Sequence, residues 1–487
     1  MYRGKTITEL RDLIDNQGVS PEEIFKSVVE DCHKYQDEYN SFVTIIDKFK
    51  MKARKDTLIT GIPYALKDNF STANILTTSS SNILKDYIPV YDATVYKKLK
   101  NAGGVLVGKT VLDELAMGGT GTTGHTGVVK NPWDKTRMIG GSSAGSASSV
   151  ALGLVPFAIG SDTGDSIRKP ASLGGVVGFK PTYGRISRYG LFAFASSLDH
   201  VGCLTRNVKD AAIVTDIIKG QDEADMTSLK DDLKNYVDTL ENDIKGRKLF
   251  YIKEVCDKEL YKDSNDEVLM KVLDDFYKTL DKLREEGFII EEISIDKNLL
   301  EAIYPSYMSI SCAEATSNNA NLTGIQFGPR PEGVDSYQEL MMKARTEGFS
   351  ELIKRRFILG SFILQKENQE KLFLNACRVR RLIVDKINDL FKTYDGMILP
   401  ASGGIAPKFS DDSEKLSDRY LILENHLAIG NFGGFPSITL PFTMVNNMPV
   451  GINLTGRVCE DDVVLNMANY IEKVTGLKDI YSKVGEE

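Results

Sequence analysis

The 487 residues are 42% hydrophobic and 26% charged, the balance of an ordinary globular chain with room for one large α/β domain or two to three smaller ones. A net charge of −8 argues against a protein that holds nucleic acid by itself, because phosphate contacts demand a basic excess. Six scattered cysteines without a CxxC pair argue against a zinc site and against a secreted disulfide framework.

The first residues, MYRGKTITELRDL, lack an apolar signal core. The most apolar run, VALGLVPFAIG at 150–160, is too short to cross a bilayer. The expectation is a cytoplasmic protein. Residues 5–48 read as two helices. SPEE at 20–23 has the form of a capping box, with Ser20 as N-cap, Pro21 at the first helical position and Glu23 three residues after the cap. Ile24, Val28, Val29 and Cys32 then share one face. TGIPYALKDNF at 60–70 reads as a short buried strand running into a loop. YDATVYKKLKNAGGVLVGKT at 91–110 reads as a helix, a glycine stop and a strand.

Residues 118–149 are rich in Gly, Ser and Thr and lead into the apolar run, where small residues suit the start of a closely packed helix. From 219 to 300 Lys, Asp and Glu dominate, with amphipathic helices and the strands KLFYI and FIIEEI. Residues 335–393 read as mostly helical. YDGMILPAS at 394–402 and FPSITLPFTMVNNMPVGINLTG at 435–456 read as strands, the latter two joined by VNNMP, and DDVVLNMANYIEKVTG is a last helix. No internal repeat stands out. Alternating strands and helices point to an α/β layered fold.

Three stretches carry candidate chemistry. GGSSAGSASS at 140–149 reads as a flexible linker or as a tight helix entry. It is a poor phosphate loop, since no Gly-Lys-Ser/Thr follows. GSSAG at 141–145 matches the GxSxG nucleophile elbow, with Ser143 as nucleophile and His200 or His426 as base. That motif needs a strand immediately before it, and NPWDKTRMI, with a proline and three charges, is a poor one. Lys67 follows the apolar stretch IPYAL. A lysine held among apolar groups loses proton affinity and becomes a competent base near neutral pH. Finally, GSDTGDSIRKP at 160–170 places Ser166 in a turn, and a serine there needs a base to become a nucleophile.

Lys67, GGSSAGSA and GSDTGDSIR, in that order and with Ser166 lying 24 residues after Ser142 and 99 after Lys67, resemble the amidase signature family over roughly residues 5–480. The resemblance implies a layered α/β fold with a large mixed sheet and helices on both faces. It implies one amidase domain over 1–487, made of a helical segment at 5–48, a signature core at 60–215 and a more helical region at 219–393 packed on it. It also implies a Ser–cis-Ser–Lys triad: Ser166 as nucleophile, Ser142 as bridging serine in a cis peptide, Lys67 as base, with Ser143 in support. The turn Thr163-Gly164-Asp165-Ser166 is expected to aim N–H groups at the oxyanion.

Within the family, DELAMGG at 113–119, KPTYGRISRYGLFAFASSLD at 180–199, GQDEADMTS at 220–228, CAEATSN at 312–318 and RTEGFSELIKRRFILGSF at 345–362 are most similar to the glutaminase subunits of tRNA-dependent amidotransferases. What this implies is hydrolysis of glutamine through a γ-glutamyl acyl-enzyme. Ammonia then passes to a partner that amidates Glu-tRNA(Gln) with ATP and Mg, in a heterotrimer with subunits B and C. No metal or cofactor is expected in this chain. By resemblance Arg356 takes the α-carboxylate, Tyr307 supplies a hydroxyl, Met117 lines the pocket and Glu424 takes the α-ammonium.

The chain departs from the family pattern at several points. Asp165 stands where the family has glycine, which puts negative charge beside the oxyanion turn at an angle glycine would adopt freely. Ala144 replaces another glycine, Glu424 an aspartate, and His200 a glutamine. TGTTGH at 120–125 lacks an acidic residue. Two other readings therefore stand beside the glutaminase: a stand-alone amidase acting on another small amide, and a catalytically impaired scaffold subunit.

Overall fold

The computed structural model describes residues 2–54, 56–230, 234–262, 266–411, 417 and 419–486. The chain begins with α1 (Ile7–Gln17) and α2 (Pro21–Tyr39). Ser20 caps α2 by accepting from the Glu23 N–H. The reciprocal half of the expected box is not made, because the Glu23 carboxylate takes the Tyr2 hydroxyl instead. The full reciprocal box is at α1, where Thr6 and Glu9 bond each other's backbone N–H groups. Ile24, Val28, Val29 and Cys32 are buried along one face of α2.

Among the described residues thirteen strands follow: β1 (Phe42–Ile45), β2 (Pro63–Lys67), β3 (Val105–Thr110), β4 (Lys130–Asn131), β5 (Asp134–Met138), β6 (Phe157–Asp162), β7 (Val177–Lys180), β8 (His200–Thr205), β9 (Lys248–Ile252), β10 (Ile289–Ile293), β11 (Gly396–Pro400), β12 (Ser437–Val445) and β13 (Met448–Gly456). Eleven form one sheet in the order β1-β3-β2-β6-β8-β7-β12-β13-β11-β9-β10, and β4 and β5 form a separate hairpin. The sheet is mixed: β3, β2 and β6 run parallel, β6, β8, β7, β12, β13 and β11 are successively antiparallel, and β11, β9 and β10 are parallel again.

Every residue of β2, β3, β6, β7, β8, β11 and β13 is buried. Strands buried on both faces need helices on both sides of the sheet. α3 (Thr94–Asn101) packs on α6 (Val208–Ile218); α4 (Ala144–Ala151) and α6 both pack on β6 and β8, and α5 (Arg168–Gly174) packs on β7, β12 and β13. The sheet edge β10 carries the exposed Glu291 and Glu292, charges that discourage pairing with another chain. β12 and β13 join through Asn446 and Asn447, both at positive φ (51° and 59°), the geometry that fits a two-residue hairpin to strand twist.

Two expectations are corrected. The apolar run 150–160 is not one helix: α4 ends at Ala151, and Phe157 opens β6 after the break around Gly153 and Pro156. DKTRM is a strand, β5, but it pairs with β4, with one isolated bridge from Arg137 to Lys408, and stays outside the main sheet. Among the described residues no disulfide joins any of the six cysteines. Among the same residues no helix is long and apolar enough to cross a membrane.

Candidate active site

Lys67 ends β2, inside the sheet, with its side chain fully buried. Its Nζ lies 2.8 Å from Ser142 Oγ, 3.0 Å from Ser143 Oγ, 2.9 Å from Ser161 Oγ and 3.2 Å from the Ser161 carbonyl. These are neutral partners, and among the described residues no carboxylate pairs with the amine. Burial lowers its pKa from 10.5 to about 7, with Asp113, Asp162 and Asp199 pulling the other way from a distance. A neutral amine has a lone pair, and hydroxyls are the groups around it able to hand it a proton.

Ser142 and Ser143 come from a segment that is buried throughout, so the linker reading of 140–149 is corrected. The Gly141–Ser142 peptide is cis. Glycine at 141 is a steric requirement, since a Cβ there would sit 1.9 Å from Asp113 Oδ2. That carboxylate gathers the backbone N–H groups of Thr120, Gly121, Thr122 and Thr123, and the Asp113 N–H donates to the Ser142 carbonyl at 3.2 Å. The loop before α4 is thus built around one buried aspartate. Met117, fully buried, lies on the same stretch.

Ser166 lies in the turn between β6 and α5. Both ends of that turn are clamped. At one side Asp162 accepts from the Ile167 N–H (2.9 Å) and from Arg168 Nε and Nη2 (3.1 and 3.0 Å). Arg168, also fully buried, donates further to Gly164 O, Leu427 O and Asn431 Oδ1 at 2.7, 2.7 and 2.6 Å. The guanidinium beside it holds the Asp162 carboxyl well below the usual range despite burial. At the other side Thr163 Oγ1 donates to Asp199 at 2.7 Å, and Asp199 also receives the Phe194 and Ala195 N–H groups. Burial raises Asp199 to about 6.

Among the described residues, the backbone N–H groups of Gly164, Asp165 and Ser166 donate to no protein acceptor. Ser166 Oγ makes no hydrogen bond, while its carbonyl accepts from the Ser143 N–H at 3.1 Å. The expected chain of hydroxyls is therefore closed between Lys67 and Ser142 and open between Ser142 and Ser166, whose side chain is left free to turn toward a substrate. The backbone at 165 is not in the left-handed region, so aspartate fits where the family has glycine.

Tyr307 covers this turn: a Cβ built on Gly164 would meet its ring carbons at 2.9 Å and its hydroxyl at 3.2 Å. Burial pushes the Tyr307 phenol up, with the Arg356 charge opposing and the Asp165 charge adding to the rise. Arg356 reaches toward the same place, its guanidinium 5.8 Å from the Phe194 ring centroid. Its Nε and Nη1 are buried and have no hydrogen-bond partner, an expensive state for a cation unless an anion completes it. Glu424 differs. One of its oxygens pairs with Lys169 and the other accepts from the Gly403 N–H at 3.1 Å.

The elbow reading is overturned. Ser143 Oγ bonds Lys67 and the Ser161 carbonyl, not a histidine. His200 and His426 each bond a backbone carbonyl through Nδ1, and burial lowers both, His426 to about 4. Sequence reasoning missed Ser161, Asp113, Asp162, Arg168, Asp199 and Asn431. Asp162 and Arg168 lie within the motif itself, and an aspartate ending the apolar FAIGS was a legible signal of a buried partner. Asn431, which donates to Asp162 Oδ1 at 2.9 Å from 269 residues away, left none.

Residues 23–465 match the model of the Amidase family. A Halothermothrix orenii protein, named as the A subunit of glutamyl-tRNA(Gln) amidotransferase, is 39% identical over 481 residues, covering 97% of this chain and 98% of the relative. One of the same name from Sulfurisphaera tokodaii is 37% identical, covering 98% and 99%. The crystal structure of the A subunit of the Thermotoga maritima glutamyl-tRNA(Gln) amidotransferase superposes with a TM-score of 0.80 at 36% identity, covering 97% of this chain and 95% of that one.

Proposed function

The chain belongs to the amidase family, and from that premise we propose that it is the glutamine-hydrolysing subunit of a glutamyl-tRNA(Gln) amidotransferase. The observation that carries the reading is the amine of Lys67, buried, lowered to about 7 and surrounded by serine hydroxyls. An amine in that state is a general base at neutral pH.

In the proposed reaction Ser166 Oγ attacks the glutamine side-chain carbonyl carbon. Its proton passes to Ser142 Oγ as the Ser142 proton moves to Lys67 Nζ. The oxyanion is met by the uncommitted N–H groups of the turn Thr163-Gly164-Asp165-Ser166, with Ser143 holding that turn through its own N–H. The C–N bond breaks, the lysinium returns the proton through Ser142, and ammonia leaves a γ-glutamyl ester on Ser166. Water, deprotonated by the same route, releases glutamate.

Arg356 favours an amino-acid amide over a plain one. Its buried and unpaired nitrogens suit a substrate carboxylate in bidentate contact, with the Tyr307 hydroxyl and Met117 completing the pocket. The subunit then acts in a heterotrimer with subunits B and C in the cytoplasm. The partner binds the tRNA and uses ATP and Mg to activate the glutamate. A chain of net charge −8 is consistent with leaving tRNA to the partner.

The test is ammonia release from glutamine by the purified chain with and without its partner subunits. Release that needs the complex and disappears in Ser166→Ala supports the proposal. Release from simple aliphatic amides alone assigns a stand-alone amidase, and no release from any amide with the fold intact assigns a scaffold.

A further inference from the structure

We propose that Asp165, not Glu424, is the carboxylate that receives the substrate's α-ammonium, and that it makes this site select a free amino acid over an amide lacking the amino group. The inference rests on the glutaminase reading and names a specificity residue within it.

Glu424 is already committed. The Gly403 N–H occupies one oxygen and the Lys169 ammonium the other, so the pair together presents no net charge. Lys169 stands one helical turn beyond Asp165, its N–H bonded to the Asp165 carbonyl at 2.8 Å. It reaches past Asp165 to the glutamate rather than folding back.

Asp165 is the opposite case. Its carboxylate is half-buried and makes neither a hydrogen bond nor an ion pair with any described residue. Burial raises it to about 6, against the pull of the Lys169 and Arg168 charges and with the charges of Asp162 and Glu424 adding to the rise. Such a carboxylate is stabilised by any cation brought beside it.

Its position fits the substrate. Asp165 directly precedes Ser166, with Cα atoms ~3.8 Å apart, and the α-nitrogen of glutamine lies four bonds, ~5 Å, from the carbon under attack. Tyr307 feels the charges of both Arg356 and Asp165. Around Tyr307 there are thus one uncommitted cation and one uncommitted anion, and a free amino acid has the complementary pair on a single carbon.

The experiment compares glutamine with glutaramate, the same molecule without the α-amino group, by kcat/KM for ammonia release. It uses the full chain with its partner subunits. In Asp165→Asn and Asp165→Gly the glutamine-to-glutaramate ratio is expected to fall at least tenfold; in Glu424→Gln it is expected to stay within threefold of the parent value. A ratio that collapses in Glu424→Gln and holds in both Asp165 variants overturns the proposal, as does a parent enzyme without preference for glutamine. Equal losses on both substrates in the Asp165 variants also overturn it, because they assign Asp165 to shaping the oxyanion turn. A parent that releases ammonia from neither substrate defeats the glutaminase reading and this inference together, whereas glutamine hydrolysis with an unmoved ratio defeats this inference alone. The Gly variant, with circular dichroism, controls for misfolding of the Asn variant.

Discussion

Asp162 and Arg168 form a fully buried ion pair, 3.0 Å from Oδ1 to Nη2, across the base of the turn that holds Ser166. Arg168→Met leaves a buried carboxylate without its cation and strips the donors from Gly164 O, Leu427 O and Asn431. Breaking one side of such a pair costs ~3–5 kcal/mol. The expected result is a matching drop in urea-derived stability, with the double variant Asp162→Asn/Arg168→Met losing less than the sum of the two singles. Additive losses would show that the two residues stabilise the turn independently.

The pH profile tests the amine. Burial sets Lys67 at about 7, and the neutral form is the base, so kcat/KM should rise through a midpoint near 7 and fall about tenfold for each unit below it. The sign for stability follows from the same shift. The folded pKa is lowered, so between about 7 and 10.5 the unfolded chain binds more protons and stability rises with pH. Lys67→Met should abolish both slopes and lower kcat by ~100-fold or more. A flat rate profile from pH 5.5 to 8 would rule out a lysine base.

Lys67 and Arg168 are not equally legible in the sequence. Lys67 is readable because a lysine after IPYAL has no charged face to sit on. The fold class is readable because strand and helix patterns alternate and the boundaries of β2, β3, β9 and β12 follow from local chemistry. The run 150–160 misleads because helix and buried strand look alike when every position is apolar, and only Gly153 and Pro156 mark the break. SPEE and the Thr6–Glu9 box look equally good in sequence, and a tertiary contact from Tyr2 decides which one closes. Arg168 needs acceptors from Leu427 and Asn431, and sheet order, not sequence spacing, brings those segments together. Likewise the commitment of Glu424 to Lys169 depends on packing across 255 residues.

Arg356 is predicted to carry recognition of the substrate carboxylate. Arg356→Gln should reduce kcat/KM for glutamine by ~10–100-fold, the worth of a charged hydrogen-bonded contact, chiefly through KM. The same variant should lose much less on a small aliphatic amide without a carboxylate. Stability should hold or rise, because the parent buries two guanidinium nitrogens without partners. A loss of equal size on both substrates would remove Arg356 from the pocket and return it to a packing role.

Gly164 and Tyr307 provide the sharpest geometric test. A methyl at 164 would approach the Tyr307 ring to 2.9 Å and its hydroxyl to 3.2 Å, closer than packed carbon atoms settle. Two responses are open to Gly164→Ala: the ring withdraws, or the turn shifts against the Arg168 bond to the Gly164 carbonyl. The ring belongs to a half-buried side chain, whereas the turn is tied by a fully buried guanidinium, so the ring should yield. Gly164→Ala should then raise KM for glutamine about tenfold, the worth of a hydrogen bond in the substrate complex, with kcat nearly kept. Tyr307→Ala should raise KM similarly, and Gly164→Ala should add little on top of it, since the clash it creates is already gone. If the double variant instead loses kcat as steeply as it loses affinity, the methyl group has moved the turn, and the N–H groups of Gly164, Asp165 and Ser166 no longer point at one place.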